Sequence, residues 1–348
     1  MMNKLPIYLT WLPLGLIFIA IIFNTLTSII LLVNKDAKKV NCFKYLAVIA
    51  FFDTMCLFTW NLNEFLSPNF GFKIENLNIH TCRLFLFIQF ISLQINSILR
   101  SLVCIERYYF VVKLVKPVSL GRKCFGSAKS VNFWIITTIC AISFLNCHLL
   151  LNVGSHEEVK QYKDINVEQE FFHNKSIMKF NCYGNKKNII LKPLWNRVNL
   201  LTACIIPSVI MFIFDGLLIY RSYIAKQKVK STIQRNKLNQ SKSFTASLLF
   251  ISTAHLLLHA PVNLYFSFFS DDANHSKRLL SFFFIQMHSI PHSILFFELY
   301  FSNTKFYKIL LSYYEGKKRL DKIRIELIVY NIQNEQNISV IDNNMPVF

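Results

Sequence analysis

The residues Glu106, Arg107 and Tyr108 follow directly on a long apolar stretch, in the sequence VCIERYYFVV. Two opposite charges side by side are costly at the end of such a stretch unless they have a use. One use is a switch, in which the carboxylate holds the guanidinium in one state and releases it in another to hydrogen-bond backbone carbonyls of a partner. The alternative is a pair that reaches the lipid headgroups and anchors the end of a helix.

A second set of polar residues interrupts the apolar stretches themselves. Asp53 lies in the middle of the second stretch, where an unpaired charge costs at least about 2.5–3.5 kcal/mol. Asn24 and Asn96, in the first and third stretches, are its natural partners. Arg100 in the third stretch can pair with Asp53 or with Asp215, and we favour Asp53 because the two lie at similar depth.

Such residues have to be positioned by helices, and composition indicates that these helices lie in lipid. The chain has 348 residues, of which 53% are hydrophobic and only 16% are charged, too few to coat a water-soluble protein of this size. Crossing the ~30 Å of hydrocarbon takes ~20 helical residues. Seven stretches have about this length and predict an all-α membrane protein, a seven-transmembrane helix bundle: residues 7–33, 43–62, 82–112, 131–153, 194–220, 243–270 and 279–301.

Lysines and arginines are concentrated in alternate connections between these stretches. The connections after the first, third and fifth are basic and nearly free of acids, whereas residues 154–193 balance their lysines with carboxylates. Because basic loops stay in the cytoplasm, we expect the N-terminus outside and the C-terminus inside. The formal charge of +19 then faces anionic membrane lipids and cytoplasmic partners, and we expect no binding to nucleic acid.

Of the nine cysteines, Cys82 and Cys182 differ from the rest because both lie at the predicted outer face. In an oxidising exterior they can form a disulfide that ties the long second outer loop to the third helix. A metal site is the alternative, although neither cysteine has a second Cys or His at ligand spacing.

Together these features resemble a rhodopsin-like (class A) G-protein-coupled receptor. The resemblance rests on the seven stretches, Cys82 at the start of the third, Glu106-Arg107-Tyr108 25 residues later, Asp53 in the second, and Pro207 and Pro261 in the fifth and sixth. The segments YLAVIAFFDTM and HSILFF…YFSNTKF are similar to invertebrate FMRFamide-type and related neuropeptide receptors. Residues 1–314 would form the receptor domain and residues 315–348 a cytoplasmic tail.

The resemblance implies roles for these residues. Glu106, Arg107 and Tyr108 would be the switch for coupling to a heterotrimeric G protein at the plasma membrane. Pro207, Pro261 and His259 would be helix pivots. The residues around Asp53 would form a polar core, which in this family often binds sodium. A purely structural hydrogen-bonded cluster is the alternative, and Arg100 would take the place of the cation.

The sequence also departs from the family pattern. His259 and His255 precede Pro261, where the family usually has Trp and Phe. The seventh stretch keeps Tyr300 near its register but lacks the Asn-Pro that many relatives carry, which puts the usual activation path in doubt. After it, NTKFYKILLSYY resembles the short amphipathic eighth helix.

The polar residues predicted to line a ligand pocket favour a peptide. Gln89 stands where amine receptors place an aspartate, and the seventh stretch lacks the lysine of an opsin. The candidate pocket residues are Gln89, Asn199, His259, Asn263 and Gln286, some of which would pack between helices instead. Asn174 and Asn274 are in glycosylation sequons of predicted outer loops.

The sequence therefore predicts a receptor for an extracellular ligand and favours a peptide as that ligand. The alternatives are a seven-helix protein that binds a ligand with weak or no G-protein signalling, or a transporter. An enzyme is not expected, because the chain shows no nucleophile–base pair, and neither a cofactor nor a metal is expected.

Overall fold

The computed structural model describes residues 7–38, 40–115, 128–160, 176–182, 188–228, 232–268, 275–302, 306–307, 309–311 and 315. Helices dominate these residues. In chain order they are α1 (Ile7–Val33), α2 (Lys35–Lys38), α3 (Asn41–Phe70), α4 (Ile79–Val115), α5 (Ala128–Asn146), α6 (Leu149–Asn152), α7 (Asn188–Asn199), α8 (Ile206–Lys228), α9 (Thr232–Phe268), α10 (His275–Ser293) and α11 (Leu295–Ser302). A 3₁₀ turn covers Ile74–Asn76, and a π-helical segment, Leu200–Ile205, joins α7 to α8.

Among the described residues, a β-hairpin lies between α6 and α7, and the sequence does not predict it. Its strands are β1 (Ser155–Lys160) and β2 (Ser176–Asn181), paired antiparallel with Ser155 opposite Asn181. The strands flank residues 161–175 in the sequence, and Cys182 directly follows β2. Antiparallel pairing lets the facing backbone donors and acceptors of the two strands hydrogen-bond with each other.

Five helical stretches among the described residues are long and apolar enough to cross a membrane. They are Leu9–Val33, Asn41–Phe70, Ile79–Val112, Lys129–Asn152 and Leu194–Arg221, which correspond to the first five predicted stretches. Their outward side chains are apolar; Phe144 and Phe212 are each 80% exposed. Soluble proteins rarely expose large contiguous apolar patches, so this pattern fits a bundle surrounded by lipid.

The sixth and seventh predicted stretches fall on α9 and on α10–α11, which belong to the same bundle but not to those five. Helix α9 packs against α4, α8 and α10, and α10 packs against α1 and α3. Both helices bury polar side chains, among them His259, Asn263, Gln286 and His288. These residues lower the hydropathy of the two helices and mark the face that they turn to the bundle interior.

The main apolar core lies between α1, α3, α4, α5 and α11. Its largest fully buried side chains include Tyr45, Phe43 and Leu46 of α3. Helix α3 ends at Gly71, whose φ of 76° is in the left-handed region and whose amide donates to the carbonyl of Ser67. Glycine adopts this conformation without steric cost, so the chain can turn sharply from α3 toward α4.

Candidate ligand cavity and polar core

The predicted disulfide between Cys82 and Cys182 is present and joins the start of α4 to the end of β2 across 100 residues. Both cysteines are fully buried. The amide of Cys182 also donates to Oδ1 of Asn76, at 3.4 Å, so the turn after α3 helps to hold the hairpin. We call this side of the molecule the disulfide end of the bundle.

A cavity of about 270 Å³ opens beneath the disulfide. Helices α3, α4, α6, α7, α9 and α10 all contribute to its wall. Its lining combines aromatic and amide side chains, notably Trp60, Gln89, Phe90, Trp195, Asn199, Asn263 and Phe266. Pockets that bind organic ligands have this mixture of apolar walls and a few placed polar groups.

Charged residues line the same cavity near the turn after α3. Glu64, Lys73 and Glu75 all contribute to the lining. The amide of Asn63 donates to Glu75 at 3.1 Å, and the ammonium group of Lys73 lies 3.8 Å from the same carboxylate. Among the described lining residues, two carboxyl groups accompany one ammonium group, so this part of the cavity offers acceptors to a ligand with a cationic group.

Three of the five predicted pocket residues line the cavity: Gln89, Asn199 and Asn263. His259 and Gln286 lie outside this lining, although both are buried. His259 stacks on His288, with ring centroids 3.9 Å apart, and His288 itself is part of the lining. The sequence places His259 one helical turn from Asn263, but it does not show that a histidine of α10 packs against His259.

Four amides, two of which line the cavity, form a chain of hydrogen bonds that we call the amide relay. Asn146 donates to Gln94 at 2.7 Å, and Gln94 donates to Asn199 at 3.1 Å. Asn199 in turn donates to Asn263 at 3.3 Å. The relay connects α5, α4, α7 and α9 with neutral groups only, and Gln94 and Asn146 were not predicted.

One carboxylate, that of Asp53, is the centre of a second buried network, the ionic core. Nδ2 of Asn96 donates to Asp53 at 2.8 Å, and the guanidinium of Arg100 contacts both carboxylate oxygens at 3.0 and 3.3 Å. Nδ1 of His292 contacts the same carboxylate. Asp53, Asn96 and His292 are fully buried, and Arg100 is 3% exposed.

The structure shows which of the partners predicted for Arg100 and for Asp53 are in contact with them. Arg100 pairs with Asp53, whereas Asp215 of α8 hydrogen-bonds with Cys104 and Ser252. Asn24 was expected to bind Asp53, and this expectation is wrong: its amide donates to the backbone carbonyl of His292 at 2.9 Å. Asn24 therefore supports the ionic core indirectly, by holding the segment of α10 that carries His292.

Four buried histidines lie beside the ionic core, and we call them the histidine cluster: His255 and His259 on α9, and His288 and His292 on α10. His288 and His292 were not predicted as site residues. Their signal is visible in the sequence, because each helix carries two histidines four positions apart, which places both on one face. Only the packing of α9 against α10 shows that the two pairs meet.

The predicted switch residues lie at the opposite end of α4. Glu106 accepts a hydrogen bond from Nδ2 of Asn41 at 2.9 Å, and the guanidinium of Arg107 lies over the ring of Phe110, 5.6 Å from its centroid. Glu106 and Arg107 are 3% and 4% exposed. The ring of Tyr108 packs edge-on against Phe214 of α8. Arg107 is thus packed inside the bundle rather than extended toward a headgroup layer.

The two prolines among the predicted pivots occupy different local structures. Pro207 follows the π-helical segment, and its carbonyl accepts a hydrogen bond from Ser101 of α4 at 3.2 Å. Proline offers no amide to the preceding turn, and π-helical segments are frequent at functional sites. Pro261 lies inside the continuous helix α9. A further proline, Pro291, precedes the interruption between α10 and α11 and was not predicted to matter.

Several predicted features lie outside the described residues. Asn174, Asn274 and nearly all of the predicted tail, residues 316–348, belong to this group. Of the predicted eighth helix, residues 306–307 and 309–311 have helical backbone. Phe306 is fully buried, and its ring packs edge-on against that of Phe296.

Comparison with models of known protein families and with curated proteins finds no match for this chain.

Proposed function

We propose that this chain is a rhodopsin-like G-protein-coupled receptor that binds an extracellular peptide. The observation that carries the proposal is the organisation of α4. This one helix carries the disulfide at Cys82, the cavity residue Gln89, the core residue Arg100 and the switch residue Arg107. Cys82 and Arg107 are 25 residues apart, about 37 Å along a helix, enough to span a bilayer.

The proposed membrane arrangement adds two spans to the five apolar helices. Helix α9 and the pair α10–α11 would cross with them, because they pack in the same bundle and turn their polar side chains inward. The basic connections would then put the disulfide end outside the cell and Arg107 at the cytoplasmic face. Phe306 and Ile309 would belong to an eighth helix along that face.

Ligand recognition would use the cavity at the disulfide end. Its amides offer both donors and acceptors to peptide backbone, and its aromatic residues offer apolar contact area. Glu64 and Glu75 favour a ligand with an arginine, a lysine or a free amino terminus. Gln89 provides no charge at the position where an amine receptor would hold an ammonium group.

Signalling would require Arg107 to leave its buried position. In the described state the guanidinium packs over Phe110, and the adjacent Glu106 is held by Asn41. Movement of α8 and α9 away from α4 would open the space in which the guanidinium can bind backbone carbonyls of a G protein. Peptide binding would drive this change only to the extent that the peptide binds the open arrangement more tightly than the closed one.

A second candidate is a receptor of the same fold that binds its ligand but signals weakly. The buried Asp53–Arg100 pair favours this possibility. A charge pair between α3 and α4 ties these helices together where other members of the family often bind a mobile cation. Such a pair would raise the free energy needed for rearrangement in this part of the bundle.

A peptide-library screen tests the proposal. Cells that express the chain would be exposed to the library and read by second-messenger changes, beside cells without it. We expect responses to a small set of cationic peptides in the expressing cells only. Peptides that bind these cells without any second-messenger response would favour the second candidate, and the absence of both binding and response would contradict the receptor proposal.

A further inference from the structure

The histidine cluster and one cysteine form a compact group of metal-binding atoms. The ring centroids of His259 and His288 are 3.9 Å apart, and those of His288 and His292 are 4.8 Å apart. Sγ of Cys56, on α3, lies 3.9 Å from Nε2 of His288. None of these four side chains is more than 2% exposed.

Most of the imidazole nitrogens in this group have no hydrogen-bond partner among the described residues. This holds for both nitrogens of His259, for Nδ1 of His288 and for Nε2 of His292. A buried polar atom without a partner costs about 1–3 kcal/mol, so four of them in one place call for an explanation. A bound cation would satisfy nitrogens of this kind directly.

His292 shows the arrangement that supports a metal ligand. Its Nδ1 faces the carboxylate of Asp53, which leaves Nε2, on the opposite edge of the ring, free to bind an ion. A carboxylate that holds one imidazole nitrogen while the other binds metal is a common outer contact of zinc sites. Asp53 would thus orient His292 as well as pair with Arg100.

We propose that Cys56, His259, His288 and His292 bind one transition-metal cation of the Zn²⁺ type. Ligand atoms of Cys56, His288 and His292 already lie within 4.8 Å of one another. A tetrahedral zinc site with bonds of ~2.1 Å to nitrogen and ~2.3 Å to sulfur needs ligand atoms roughly 3.4–3.8 Å apart. The group would have to contract by roughly 1 Å, and a rotation of the His259 ring would supply the fourth ligand.

The donor set decides which cation fits. A thiolate and three imidazoles are borderline to soft ligands, which suit Zn²⁺ and related transition metals, whereas Mg²⁺ and Ca²⁺ prefer oxygen. The Cys56 thiolate and the Asp53 carboxylate would offset the two positive charges of the ion. Arg100 also binds Asp53 and adds one positive charge nearby.

The ion has a route of entry, because His288 lines the cavity beneath the disulfide. Binding would tie α3 to α9 and α10 at the level of the ionic core. The site therefore goes beyond the proposed receptor function and does not depend on it. It would restrict the relative movement of these helices whether or not the chain couples to a G protein.

Metal binding to the purified full chain in lipid nanodiscs tests the proposal. We expect one equivalent of Zn²⁺ to bind in the presence of excess Mg²⁺ and Ca²⁺. Co²⁺ in its place should give a thiolate-to-metal charge-transfer band. Cys42→Ser, which removes another buried cysteine of α3, should keep the band, and Cys56→Ser should lose it. A band that persists in Cys56→Ser, or wild-type protein that binds neither ion, would overturn the proposal.

A second variant covers the case in which Cys56→Ser fails to fold. His288→Gln removes a ligand at the cavity wall. Because this side chain borders the open space of the cavity, we expect the variant to fold. Outer contacts of zinc sites are commonly worth 10–100-fold in affinity, so loss of a ligand should weaken Zn²⁺ binding by more than about 100-fold. Unchanged Zn²⁺ affinity in folded His288→Gln would contradict the proposed ligand set.

Discussion

The amide relay and the ionic core are both buried polar networks, yet they differ in charge. The relay joins Asn146, Gln94, Asn199 and Asn263 through neutral hydrogen bonds beside the cavity. The ionic core places a carboxylate, a guanidinium and an imidazole in contact deeper in the bundle. Neutral amides can exchange partners when a ligand enters, whereas separating buried charges is costly. We therefore infer that the amide relay can adapt to a ligand and that the ionic core is rigid.

The largest effect is expected from Arg100→Leu. Removing one member of a buried charge pair typically costs about 3–5 kcal/mol, because the other charge is left alone. The variant should therefore lose most of its surface expression, measured by flow cytometry with an N-terminal tag. Adding Asp53→Asn should restore expression.

The matched control for that experiment combines Arg100→Leu with Asp215→Asn. Asp215 hydrogen-bonds with Cys104 and Ser252 rather than with Arg100, so this combination should not restore expression. If Asp215→Asn restored the expression of Arg100→Leu and Asp53→Asn did not, the guanidinium would pair with Asp215 of α8. The ionic core described here would then be wrong.

A smaller effect is expected from Gln94→Leu, the central member of the relay. The substitution leaves Oδ1 of Asn199 without its donor, whereas Nδ2 of Asn146 still donates to the carbonyl of Ile142. A buried group without a partner costs about 1–3 kcal/mol unless it finds water or another partner. Because the relay adjoins the cavity, water can replace part of the loss. Thermal unfolding of the purified protein should show a lower Tm than wild type but a higher one than Arg100→Leu. An equal fall in Tm for the two variants would mean that the neutral relay and the ionic core contribute equally to stability.

The smallest effect is expected from sodium. The guanidinium of Arg100 already contacts both oxygens of Asp53, so a sodium ion has no carboxylate to bind. Peptide affinity should not change when sodium replaces choline at constant ionic strength. A clear dependence on sodium would indicate that Asp53 is available to a cation and that its pairing with Arg100 is weaker than the geometry suggests.

The sequence predicts the fold better than it predicts contacts between distant helices. Apolar length locates the helices, and the spacing of Cys82 and Cys182 relative to the predicted faces indicates the disulfide that is present. Arg100 and Asp53 could be paired because each is costly when buried alone. These inferences depend on the chemistry of single residues in lipid.

Other features could not be obtained in this way. The neighbours of His259 depend on how α9 packs against α10, and neither helix reveals this by itself. Asn24 lies at the depth expected for a partner of Asp53, but its amide reaches a backbone carbonyl of α10 instead. The amide relay involves four helices, and asparagine or glutamine alone carries no signal that distinguishes such a chain from isolated hydrogen bonds.

The receptor proposal is tested most directly by Arg107→Ala beside Arg197→Ala, which removes an arginine of α7 instead. Surface binding of a peptide from the screen and peptide-evoked guanine-nucleotide exchange would be measured on both variants and on wild type. We predict that Arg107→Ala binds the peptide at the cell surface but no longer stimulates exchange, whereas Arg197→Ala retains exchange. Undiminished exchange by Arg107→Ala would contradict the account.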